Sequence, residues 1–155
     1  GGERPSPTVQ GLAAEWGMRL AAYREALDGL LLHDALAELW EFVGAANRLV
    51  DAEKPWELAK QVKAGDGEAE ERLRGVLGDL VEACRLIALA AAPFLPASGP
   101  RVLAQLGYDW PYAPDGNGGP ALLDELAWGA HAGVAGRLAA PEPLFPRLDV
   151  EAAAG

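Results

Sequence analysis

The stretch from Trp40 to Lys60, WEFVGAANRLVDAEKPWELAK, decides how the rest of the chain is read. Trp40, Val43, Asn47 and Val50 recur at steps of three and four residues, the spacing that brings side chains onto one face of an α-helix. The pattern predicts a helix whose apolar face carries one amide, Asn47. A buried amide costs free energy until it is hydrogen-bonded, so Asn47 is expected among core residues with a designated partner, the following loop being the nearest source. Pro55 can then open a new helix, because its fixed φ suits the first turn and its missing N–H is not needed there. Trp56 falls at that helix's beginning, where a ring beside freed backbone N–H groups can stack on a nucleobase. Each piece also has a plainer reading, since buried polar side chains mostly serve the fold and large aromatics mostly supply buried area.

Outward from this stretch the chain reads as helices joined by short turns. Leu12, Trp16, Leu20, Tyr23, Leu27 and Leu30 step by three or four from Thr8, a candidate N-cap, to Leu31. The second helix is expected from Asp34, another candidate cap, with Leu36, Leu39, Val43, Asn47 and Val50 as its inner face and His33 at the break. A brief helix runs from Pro55 to about Val62, and Gly65, Asp66 and Gly67 make a turn. Leu73, Val76, Leu77, Leu80, Cys84, Ile87 and Ala91 form the core stripe expected of a third long helix, which Pro93 ends or bends. A short helix follows Pro96 and Pro100 and ends near Gly107, and Pro, Gly and Asn make Tyr108 to Pro120 a loop. No alternating strand pattern is evident. The fold class expected is all-α, an antiparallel helix bundle. Residues 1–7 read as a linker, 8–149 as the domain and 150–155 as a tail.

The 155 residues suffice for one domain with a sizeable core. The apolar run from Leu86 to Leu95 is too short to span a bilayer, and GGERPSPT lacks the apolar region of a signal peptide, so a cytoplasmic location is expected. Cys84, the single cysteine, reads as a buried small hydrophobe. His33 and His131 lack a spaced ligand set, neither Ser6 nor Ser98 stands in a nucleophile context, and Gly116 to Gly119 is followed by Pro120 with no Lys of a phosphate loop. No catalytic site and no metal site is expected in this chain. A formal net charge of -10 opposes non-specific binding to nucleic acid. Recognition of a few unstacked bases remains compatible with it, and Arg48, Lys54, Lys60 and Lys63 gather around Pro55 and Trp56, although such a cluster also reads as a solvated helix face.

The order N-R-L-V-D-A-E-K-P-W from Asn47 to Trp56 resembles the anticodon-binding domain of class I aminoacyl-tRNA synthetases, most closely that of methionyl-tRNA synthetase. RLIALAAAPFLP from Arg85, RVLAQLG from Arg101, Trp128-Gly129 with Gly133, and PLFPRLD from Pro143 are similar to later segments of that family, in the same order. The resemblance covers roughly Leu31 to Asp149 and implies that Trp56 stacks on the first anticodon base with Pro55 packing beside it. It further implies that Asp51 discriminates against wrong anticodons, that Arg147 lies near the same pocket, and that Asn47 supports the loop. It also adds an extended C-terminal segment at Pro141 to Asp149 to the expected bundle. At Gly44, some relatives carry a second acidic residue. The partners implied are the tRNA(Met) anticodon loop and the catalytic domain of the same enzyme. The resemblance places ATP, and leaves zinc open, in that parent enzyme, with no cofactor in this fragment. The family's first anticodon-domain helix, with its base-reading Asn and Arg, is expected upstream of Gly1, and the HIGH and KMSKS signatures in a preceding catalytic domain. A valine, leucine or cysteine enzyme is the nearest rival. From another class, the alternative is an acidic helical protein-interaction or regulatory domain derived from this fold, without tRNA binding.

Overall fold

The computed structural model describes residues 7–95, 97–108 and 125–130. Five helices are defined among them: α1 (Pro7–Asp28), α2 (Leu32–Glu53), α3 (Pro55–Lys63), α4 (Gly67–Ala90) and α5 (Ser98–Gln105). No strand occurs among the described residues, as the all-α reading expects. No helix among them is long and apolar enough to cross a membrane.

Helices α1 and α2 form an antiparallel hairpin. Leu12, Trp16, Tyr23 and Ala26 supply the buried stripe of α1, and Trp16 meets Phe42 of α2 with ring centroids 4.7 Å apart at 60°. A tilted pair of this kind is worth about 0.5–1.5 kcal/mol beyond its buried area. Arg19 spans the hairpin, bonding Glu15 one turn earlier and Glu38 across the interface, each at 2.9 Å. The turn differs from expectation. Helix α1 stops at Asp28, and Leu30, expected on its core face, takes a left-handed φ of 59° and is 85 % exposed. Helix α2 starts at Leu32 with no side-chain cap, so Asp34 lies within its first turn, where a carboxylate favours the positive end of the helix dipole.

The core face of α2 is also displaced from the expected one. Ala35, Leu39, Phe42 and Leu49 are buried, whereas Trp40 and Asn47 are exposed and Leu36, Val43 and Val50 are half-buried. Two apolar repeats run along this helix side by side, and packing selects the one whose Ala35 and Phe42 fit the neighbouring helices. Asn47 therefore stands outside the core and needs no buried partner. It makes no side-chain hydrogen bond to a described residue.

Helix α4 is capped by Asp66, whose Oδ1 accepts the N–H groups of Glu68 and Ala69 at 3.0 and 3.1 Å. Val76, Ala83, Leu86 and Leu89 enter the core, but Leu77 and Cys84, expected there, are exposed. Their places are taken by Asp79 and Arg85, two charged residues. Arg85, at 1 % exposure, donates to both Glu82 oxygens (2.9 and 2.6 Å) and to the carbonyls of Glu125 and Ala127 (2.6 and 3.0 Å). Glu82 in turn accepts the N–H of Gly129 at 2.7 Å. The Trp16 indole N–H and the Tyr23 hydroxyl complete the core's polar bonding through the carbonyls of Leu126 (2.8 Å) and Ala90 (2.7 Å). Asp79 is the opposite case. Its Oδ2 is buried with no partner, and desolvation pushes its carboxyl up to about 6.

Candidate nucleic-acid interface

Local chemistry builds the joint between α2 and α3. Lys54 takes a left-handed conformation (φ 47°, ψ 67°), which ends α2 through its N–H to the Val50 carbonyl at 3.0 Å. The Lys54 carbonyl then accepts from Glu57 (2.9 Å) and Leu58 (3.2 Å), so one residue closes one helix and opens the next. Pro55 occupies the first turn of α3 with the φ that position requires. A left-handed non-glycine residue costs on the order of 1–2 kcal/mol, so the surroundings must hold the bend. Two anchors do this. Glu53, just before Lys54, is buried and held by a two-pronged pair to Arg72 of α4 at 2.6 and 3.0 Å. Leu58 packs with Ala69 and Val76 in a second small core that Val62, Leu73 and Leu80 border.

Because Leu58 takes the inward face of α3, Trp56 faces out, with 51 % of its surface exposed. Pro55 is half-buried beneath it in sequence, and Asp51 and Asn47 are exposed one turn apart on the outward face of α2. That spacing is about 6 Å along the helix axis. Gly44 and Trp40 continue the same face toward the N-terminus of α2. At Gly44 a Cβ would lie 3.4 Å from Nη1 of Arg48, so the guanidinium lies back over the glycine. Lys60 is paired with Glu57 at 3.0 Å, while Arg48, Lys54 and Lys63 form no ion pair among the described residues. The structure thus brings Asn47, Asp51, Pro55 and Trp56 to one end of the bundle. Arg147 lies outside the described residues, as do Gly133, the Pro143 to Asp149 segment and most of the Tyr108 to Pro120 loop.

The other side of α3 has a different chemistry. An open groove there is lined by Glu53, Asp66, Glu68 and Glu71 with Arg72 as its single cation, a composition that repels phosphate. No group of three or more potential metal-ligating side chains gathers among the described residues. The Lys54 bend and the Glu53–Arg72 clamp have no counterpart in the sequence reading. A charged residue in the left-handed region has no residue signature of its own, and the clamp joins positions 19 apart in the chain.

Comparison with known proteins gives one consistent result. A family model described as the anticodon binding domain of methionyl tRNA ligase matches residues 1–154. Methionine–tRNA ligase of Lactiplantibacillus plantarum is 32% identical over 137 residues, which cover 84% of this chain and 17% of that protein. The Bacillus subtilis enzyme is 31% identical over 136 residues, covering 84% and 18%, and that of Caldanaerobacter subterraneus is 34% identical over 132 residues, covering 82% and 18%. Among solved structures, Mycobacterium tuberculosis methionyl-tRNA synthetase in complex with methionyl-adenylate matches with a TM-score of 0.71 and 26% identity, over 95% of this chain and 26% of that one. Its apo form matches with a TM-score of 0.71 and 25% identity, over 96% and 27%. The chain spans 17–18% of the length of these curated relatives.

Proposed function

Because this chain belongs to the family of anticodon-binding domains of methionyl-tRNA ligases, we propose that it reads the anticodon loop of tRNA(Met) on behalf of a catalytic domain carried by the same enzyme. The observation that carries the reading is the display of Trp56. The ring is held out from the start of α3 while Leu58, two residues on, is buried, and it sits at the end of the bundle where Asp51 and Asn47 are also exposed. In this reading Trp56 stacks on the first anticodon base, a contact worth about 1–3 kcal/mol. Asp51 repels or fails to pair with the edges of wrong bases, which is discrimination by exclusion. Asn47 is free to hydrogen-bond a base edge, since it has no structural bond to keep among the described residues. Arg48, Lys54 and Lys63 supply the local positive charge that the chain as a whole lacks, and Arg147 is assigned to the same pocket.

The test is titration of the chain with a CAU anticodon stem-loop and with one altered at the first base, following tryptophan fluorescence at low salt. Quenching selective for CAU and lost in Trp56→Ala supports the assignment. Binding that is equal for both stem-loops removes base readout.

The net charge of -10 supports a second reading, an acidic helical domain that binds protein and no tRNA. Salt separates the two, because affinity for RNA falls with log[salt] in proportion to the phosphates neutralised, whereas an apolar protein contact shows little slope.

A further inference from the structure

Gly44 sits in the middle of α2, where a glycine weakens a helix relative to alanine, and neither a turn nor a left-handed φ calls for it. The other glycines inside long helices, Gly11, Gly17, Gly75 and Gly78, open on empty space, so that an added Cβ would touch nothing within 4 Å. At Gly44 the Cβ would lie 3.4 Å from Nη1 of Arg48. Arg48 is exposed, and its side chain runs back one turn so that the guanidinium rests over the bare glycine. Arg19, Arg72, Arg74 and Arg85 each meet a carboxylate. Arg48 meets none among the described residues, although Asp51 stands three positions on.

We infer that Arg48, seated over Gly44, is a phosphate-binding group that grips the anticodon-loop backbone beside the base read at Trp56, and that Gly44 serves to part its charge from that of Asp51. The side chain suits the task, since a planar guanidinium fork matches two phosphate oxygens at once. Lys60 is already spent on Glu57, whereas Arg48 is unspent. A chain with a net charge of -10 has few cations to give a phosphate, so one left unpaired beside exposed recognition groups matters for affinity. If Arg48 instead closed on Asp51, attraction for the backbone and exclusion of wrong bases would cancel. Gly44 lies about 10 Å from Asp51 along the helix axis, beyond the ~8 Å over which exposed charges act at physiological salt, so the two groups work independently. A side chain at position 44 would end this arrangement. Any bulk there takes the guanidinium's seat, and a carboxylate one turn before Arg48 captures it as an i,i+4 pair. The inference rests on the anticodon reading and deepens it, by assigning Arg48 a backbone contact that positions the loop and carries no base preference.

Titration of this chain with the CAU stem-loop at several salt concentrations tests it. Arg48→Ala should weaken binding by about three- to tenfold at low salt. It should also reduce the slope of log affinity against log[salt] by about 0.7, the share of one phosphate contact on a single strand. The preference for CAU over the altered first base should stay unchanged. Gly44→Asp should reproduce the shallower slope, and Arg48→Ala added to it should cost little more. Arg24→Ala removes another exposed arginine, at the far end of the α1–α2 hairpin, and should change nothing. A stem-loop carrying one uncharged methylphosphonate at each loop linkage in turn locates the contact, because at one linkage the wild-type chain should lose affinity and Arg48→Ala should lose none further. Circular dichroism verifies the fold of each variant. An unchanged slope in Arg48→Ala, an altered base preference, or an equal loss in Arg24→Ala overturns the inference, while CAU-selective binding by the wild-type chain leaves the anticodon reading standing. Absence of stem-loop binding by the wild-type chain sinks the anticodon reading and the inference with it.

Discussion

The Arg85 site and the Lys54–Trp56 joint treat charged and polar groups in opposite ways. Around Arg85 every strong donor and acceptor is consumed by structure: the guanidinium bonds Glu82 and two carbonyls, and Glu82 bonds Gly129. At the joint, Asn47, Asp51, Lys54 and Trp56 are all exposed, and the backbone, the Glu53–Arg72 clamp and the packing of Leu58 hold the geometry. A buried ion pair repays its desolvation only when all its bonding capacity is met, so the first region serves cohesion. Side chains that leave their bonding capacity to solvent at a rigid bend remain available to a partner, and the second region is suited to recognition.

The largest expected effect lies at the cohesive site. Arg85→Ala leaves the half-buried Glu82 carboxylate without its cation and releases the carbonyls of residues 125 and 127, and urea denaturation should show a loss of about 3–5 kcal/mol. A loss under about 1 kcal/mol would mean that the clamp is not structural and the contrast collapses. Trp56→Ala should do the reverse. Stem-loop affinity should fall by about 5- to 150-fold, equivalent to about 1–3 kcal/mol, while the denaturation midpoint stays nearly unchanged.

Asp79 sharpens the contrast, being a buried charge without the satisfaction that Arg85 enjoys. Its folded carboxyl lies near 6, above its ordinary value of 3.8, so the folded state binds the proton more tightly than the unfolded chain. The stability it confers is complete below about pH 4 and is lost as pH rises through 6. Asp79→Leu should raise stability at pH 7 by about 1–2 kcal/mol and flatten the dependence between pH 4 and 6, as followed by thermal melts. An unchanged slope would locate the pH dependence in other groups. The smallest effect is expected at Lys54, where Lys54→Gly relieves the left-handed strain at the cost of a freer unfolded chain and should stabilise by about 0.5–1 kcal/mol. Stem-loop affinity should weaken slightly and depend less steeply on salt, because the bend is retained while one of the three local cations is lost.

Much of this architecture was legible beforehand. Helix α1 follows the Leu12, Trp16, Tyr23 period, α3 begins at Pro55 as its chemistry demands, and a turn at Gly65 precedes α4, which starts at Gly67, one residue inside the expected turn. The inner face of α2 was read wrongly, because Leu36, Trp40, Val43 and Asn47 keep helical period as well as Ala35, Leu39 and Phe42 do. Period reveals an apolar face without revealing whether anything covers it. Cys84 and Leu77 were misplaced for the same reason on α4. Arg85 opens the RLIALAAAPFLP motif, but helical period gives no sign that it is buried, although Glu82 at i−3 offers its charge a local partner.

The sequence by itself determined the helical class, the starting point of α3 and the family, since these depend on local propensity and on residue order along the chain. Tertiary structure decided which seam of α2 is spent on the core, that Asn47 and Trp56 face outward, and that Arg85 with Glu82 fastens a segment some 40 residues away. These outcomes turn on competition among faces of equal period and on contacts between distant positions, and the winner is set by how volumes and hydrogen bonds close in three dimensions.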